Sequence, residues 1–253
     1  RKHVIVLYSG CTSILSCNNF ADVQGWSSVF ENKPNRYRAE RALNLQIPGN
    51  IIASDGEAIA LQGGFGQGAP FAAREQNVLI DSNQIRFTGT SHGPQNSISV
   101  RFHHQVLIRS NQLTAATEGA RASIASFSNQ TVMVGGNTLF SGSIVLGTAE
   151  TDAFGDSHST EPRQAAIYDN VFDHLPASVS CIILGSQNYR SAAVSVRGNM
   201  MRDGSGGSSL IDRTDFQSKI LIVAQNIGGS GNPRSPRFTG QLIEVDNSWS
   251  RAR

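Results

Sequence analysis

The chain has 253 residues, 16% of them charged, and a formal net charge of +2. So weak a charge leaves no basic stripe for a phosphate backbone, so nucleic acid is not an expected partner. No apolar run approaches the roughly 18 residues of a membrane span, and the length suits one solenoid or barrel domain over 1–253.

The chain opens on Arg1-Lys2-His3, and the apolar run Val4 to Leu7 that follows is too short for a signal peptide. Cys11 and Cys17 come next. Either they are bridged in an oxidising compartment, or both stay reduced together with Cys181. Asn18, between Leu15 and Phe20, is a first, imperfect instance of a frame that then recurs. Residues 21–43 read as a lateral excursion. Trp26 and Phe30 there cover apolar surface, and 35–43, with Arg36, Arg38, Glu40 and Arg41, is a short helix candidate.

The frame is apolar-x-apolar-x-x-Asn-x-apolar. Leu45, Ile47, Asn50 and Ile52 form one copy; Val78, Ile80, Asn83 and Ile85 the next; then Val106, Ile108, Asn111 and Leu113. Val132, Val134, Asn137 and Leu139 continue it, followed by Ala165, Ile167, Asn170 and Phe172, and by Val194, Val196, Asn199 and Met201. Leu221, Val223 and Asn226 close the series, with Gly228 at the last apolar place. The asparagines from Asn50 to Asn226 are 33, 28, 26, 33, 29 and 27 residues apart. A period in this range is the mark of stacked repeats.

Two apolar residues two apart face one side of a short strand. Asparagine tolerates the left-handed conformation and bonds locally, so it marks a sharp corner, after which a new strand begins. Stacking such coils in parallel sets each asparagine over the next at about 4.8 Å, where side-chain amides bond up the pile. The expected fold is therefore all-β: a solenoid of about eight coils with an internal ladder of Asn50, Asn83, Asn111, Asn137, Asn170, Asn199 and Asn226. This frame resembles the right-handed parallel β-helix of the pectate-lyase-like superfamily, from about Val4 to Trp249. The resemblance implies that fold, with members ranging from polysaccharide lyases to phage tailspikes, adhesins and inert spacers. Fold does not settle function among them.

The third strand of each coil is expected at Ala58–Leu61, Ser97–Phe102, Ala122–Phe127, Ser143–Leu146, Val179–Leu184, Ser208–Ile211 and Gln241–Val245. Loops of variable length follow these strands on one side, at 62–76, 103–105, 128–130, 147–164, 185–191 and 212–219. Loops on a rigid scaffold are where function concentrates. The sequon Asn129-Gln130-Thr131 falls in one of them, which places Asn129 in an outer loop.

The longest informative loop, 147–164, carries Glu150, Asp152, Asp156, His158 and Glu161. Adjacent loops would add His103 and His104 on one side, and Tyr189 and Arg190 on the other. A polysaccharide lyase needs a cation or an arginine to neutralise a uronate, and a base for the neighbouring proton. Asp152, Asp156 and Arg190, with His158 or Tyr189, are the catalytic candidates for that chemistry, and calcium would be the cofactor. Without it no cofactor is expected. His103, His104, Glu161, Tyr189 and Arg190 are the ligand-binding candidates. The D-x-[DN]-x-[DN]-G calcium spacing is absent, which favours a solvated acidic loop. The polygalacturonase and alginate-epimerase signatures are absent too. Gly63 to Gly68 is followed by Ala69-Pro70 rather than a strand–helix unit, so it is not a phosphate loop. Equivalent positions in successive coils pair Asp81 with Arg109, Tyr168 with Arg197, and Asp173 with Arg202.

Three functions fit these residues. The first is an extracellular, cell-surface or virion-surface module of a fibre, spike or larger assembly, presenting its loop face for glycan or protein contact, with polysaccharide or other subunits as partners. The second is a polysaccharide lyase or related enzyme, and the third a structural spacer. No amphipathic capping helix is legible at either end, so neighbouring polypeptide is expected to cap the solenoid.

Overall fold

A computed structural model describes residues 3–8, 13–14, 19–23, 28–33, 44–62, 77–89, 94–101, 103–116, 120–147, 164–175, 179–185, 189–202, 209–212, 217–228 and 239–248. Cys11, Cys17, Asn18, Trp26 and the 35–43 segment lie outside these residues. The strands, numbered in chain order, form three sheets in which every pairing is parallel. Sheet A contains β1 (His3–Tyr8), β4 (Ser28–Lys33), β7 (Glu57–Gln62), β10 (Pro94–Arg101), β13 (Arg121–Phe127), β16 (Ile144–Gly147), β19 (Ser180–Leu184) and β22 (Ser209–Asp212). Sheet B contains β2 (Ser13–Ile14), β5 (Asn44–Pro48), β8 (Asn77–Asp81), β11 (Gln105–Arg109), β14 (Thr131–Gly135), β17 (Gln164–Tyr168), β20 (Tyr189–Arg197), β23 (Gln217–Ala224) and β24 (Thr239–Val245). Sheet C contains β3 (Asn19–Val23), β6 (Ile51–Ser54), β9 (Gln84–Phe87), β12 (Gln112–Ala115), β15 (Thr138–Phe140), β18 (Val171–Asp173) and β21 (Met200–Met201). The chain runs A, B, C in each turn and returns to A one strand spacing further along. It is a right-handed parallel β-helix.

Each frame maps onto one corner. Its first two apolar residues point inward from sheet B, and its last points inward from sheet C. Ile47, Ile80, Ile108, Val134, Ile167, Val196 and Val223 thus stack as one fully buried row. Between the two sheets sits the ladder. Asn111 shows the bonding: its Nδ2 donates to Asn137 Oδ1 (3.0 Å), Ile80 O (3.0 Å) and Arg109 O (2.9 Å). Its Oδ1 accepts from the backbone N–H (3.0 Å) and Nδ2 (2.8 Å) of Asn83. The amide occupies the corner because no other uncharged side chain of this size both donates and accepts here.

Three expectations need correction. The left-handed residue is not the asparagine but the one before it: Gly49, Ser82, Ser110, Gly136, Asp169, Gly198, Gln225 and Asp246 all have φ between 49° and 68°. Asparagine keeps ordinary φ because its side chain must point inward to bond. The ladder also has one more member. Asn247 Oδ1 accepts from Asn226 N (3.1 Å) and Nδ2 (3.0 Å), and Gln241–Val245 belongs to sheet B rather than sheet A. Glu244, at the second apolar place, disguises that copy. Finally, Ala21–Val23 ends β3, and β4 takes up Ser28–Lys33, pairing with β1 and β7. Those residues are therefore coil, not excursion.

Left-handed φ costs a side-chain-bearing residue roughly 1–2 kcal/mol, part of which glycine loses again through its freer unfolded chain. Gln225→Gly, at an exposed corner with φ 56°, should raise stability by a net amount on the order of 0.5 kcal/mol. Gly198→Ala should lower it, because the added methyl meets Asp169 Oδ1 at φ 64°. Urea denaturation of the two variants tests both signs.

Candidate functional site

Of the candidates on the loop side, Asp152, Asp156, His158 and Glu161, with Glu150, lie outside the described residues. Tyr189 and Arg190 open β20, where Tyr189 pairs in register with Ser218, so they begin a strand rather than sit in a loop. His104 is half-buried at the start of β11.

His103 is in the core, 1% exposed, at the corner between sheets A and B. It stands one coil from Asn129, since Gln105 pairs with Thr131. Asn129 Oδ1 accepts the His103 backbone N–H at 2.7 Å, and its Nδ2 donates to Val100 O and Ser126 Oγ, both at 2.8 Å. This repeats the ladder geometry at a second corner, with the left-handed Ser128 (φ 52°) before the asparagine. Asn129 is therefore an interior residue, not an outer-loop one, and its sequon is unavailable to a glycan in the folded chain. Both ring nitrogens of His103 are buried without a well-formed hydrogen bond, with the Arg101 backbone and the Asn129 side chain only weakly favouring its protonated form. Burial holds its pKa down to about 4, from an ordinary 6.5. It is a neutral core residue at pH 7, in no position to meet a ligand.

Cys181 is also buried, with a free thiol whose pKa is pushed up by burial. Among the described residues no three His, Cys, Asp or Glu side chains converge as metal ligands. No helix there is long and apolar enough to cross a membrane.

Two of the three expected cross-coil pairs form on sheet B. Arg109 Nε lies 3.3 Å from Asp81 Oδ1, and the Arg197 guanidinium sits 5.9 Å from the Tyr168 ring centre. With the Arg109 side chain half exposed, the ion pair contributes well under about 1 kcal/mol. Asp173 instead binds its neighbour His174 (Oδ1 to Nδ1, 2.9 Å), whose ring stacks on Phe140 at 4.3 Å.

The described feature with the shape of a site is the outer face of sheet B. A groove of about 330 Å³ runs along the solenoid axis there, across β5, β8, β11 and β14. Its floor and walls include Gln46, Leu79, Leu107 and Met133, with Asn44, Asn77 and Gln105 along one side. No charged side chain lines it. Asn77 Nδ2 donates to Asn44 Oδ1 at 2.9 Å, so the amides form a row of their own.

No family model, no curated protein and no solved structure matches this chain.

The sequence carries a signal for this face. The residue between the two inward places is itself apolar in six copies: Leu79, Leu107, Met133, Ala166, Ile222 and Ile243. In a half-buried strand that place should be polar.

Proposed function

We propose that this chain is a non-catalytic module of a fibre, spike or larger assembly at a cell or virion surface. Its rigid solenoid would present a contact face to glycan or protein. The observation that carries this reading is the open, uncharged groove on sheet B, where Met133 is 39% exposed. Monomeric proteins rarely leave long apolar strips in water, and those they do leave mark interaction sites. A solenoid suits the role because each coil adds the same surface one strand spacing further on.

The test is turnover against contact. The purified chain, given acidic polysaccharides with and without calcium, should release no unsaturated uronate. Met133→Asp should abolish its contacts, whether to polysaccharide in an affinity gel or to protein in sedimentation. Calcium-dependent product formation lost in Asp156→Ala would replace this reading with a lyase.

A further inference from the structure

The groove is the widest part of a longer stripe. Leu79, Leu107, Met133, Ala166, Ser195, Ile222 and Ile243 occupy the same outward place on successive strands. Gln46 on β5 stands at the head of this row, and Ser195 interrupts it. Ile243 is 36% exposed, and Leu79, Leu107, Ala166 and Ile222 are half-buried. On one flank run uncharged polar residues, Asn44, Asn77, Gln105, Thr131 and Gln164. On the other, the charges of Asp81 and Arg109 are matched to each other, and the Arg197 guanidinium lies over the Tyr168 ring.

From these rows we infer that the outer face of sheet B packs against the same face of a second copy of this chain, side by side, about a two-fold axis parallel to the solenoid. This rests on the assembly reading above and names the partner. Such an axis brings the apolar row onto itself at matching coil heights. It also sets the amide row of each copy opposite the ion-paired row of the other. An isologous contact of this kind closes at two subunits.

The dimensions fit. Eight strands from β5 to β24 at about 4.8 Å span roughly 34 Å, and five residues of about 3.3 Å make the face roughly 16 Å wide. About 550 Å² per partner is close to the lower limit of specific interfaces, near 600 Å² a side. Two sheet faces stack about 10 Å apart, close enough for Leu107 and Met133 to interdigitate. A linear glycan fits the row less well, because Leu, Met and Ile offer no ring face on which a pyranose stacks.

Sedimentation velocity on the whole chain is the decisive experiment. The wild type should sediment as a dimer, and Leu107→Asp and Met133→Asp as monomers with unchanged circular dichroism. Should the Asp variants fail to fold, Leu107→Gln and Met133→Gln, polar but uncharged, make the same comparison and should weaken dimerisation at least tenfold. A wild type monomeric at the highest concentration reached would overturn the inference. So would a dimer that survives every one of these substitutions, which would point to another surface. A monomer that binds a linear polysaccharide and loses it on Leu107→Gln would also overturn it, while leaving the contact-module reading in place.

Discussion

Asn111→Ala is expected to unfold the solenoid at markedly lower denaturant than the wild type, with a loss on the order of 4 kcal/mol. The substitution deletes three donated and two accepted bonds in a fully buried setting. It strands the backbone N–H of Asn83 and the carbonyl of Ile80. Each buried group left unsatisfied costs roughly 1–3 kcal/mol. Asn129→Ala removes three bonds of the same kind and should cost about 2–3 kcal/mol. The two variants should therefore fall in the same class, Asn111→Ala the more severe. A near-neutral Asn129→Ala would contradict the second corner, and its measurement by urea denaturation is direct.

Acidification should weaken the fold through His103. Its folded pKa is about 4 against an ordinary 6.5, so the unfolded chain binds the proton first. Stability from this group is fully present above pH 6.5, declines as pH falls, and is lost once pH drops below 4. The difference of about 2.5 pKa units corresponds to roughly 3 kcal/mol. His103→Asn should abolish this part of the pH dependence. It should also stabilise the chain at pH 7, because an amide at that corner can bond to Asn129 Oδ1 as a ladder rung does, whereas the imidazole nitrogens make no well-formed bond. Denaturation midpoints at pH 7.5, 5.5 and 4 for both proteins check the sign and the window.

How much was legible follows from what repeats. The inward residues and the ladder asparagines recur once per coil, because each must match the copies above and below it; the fold is visible for that reason. The left-handed corner residue recurs too, but as Gly, Ser, Asp or Gln, since only its backbone matters, so no consensus betrays it. Asn247 was hidden because Glu244 takes a core place in a terminal strand that is open to solvent. Asn129 and His103 form a corner that other frames do not share, so periodicity was silent and composition suggested a loop. The stripe on sheet B was misjudged for a different reason. Runs such as Val-Leu-Ile at 78–80 and Val-Met-Val at 132–134 are equally compatible with a strand buried on both faces, so the outward place of the middle residue carries no distinct mark.

The amide-to-amide bonds of the ladder have a direction: each Nδ2 donates to the Oδ1 of the next rung toward the C-terminal end, and each Oδ1 accepts from the rung before it. Because Gln105 lies level with Thr131, removing residues 105–130 whole would join His104 to Thr131 and bring Asn83 against Asn137 with all polarities preserved. A cut at that place that does not remove a whole number of coils would leave one amide facing the wrong atom. Chain length here is thus quantised. Evolution or a designer can shorten or extend the molecule a rung at a time, as one changes the number of links in a chain.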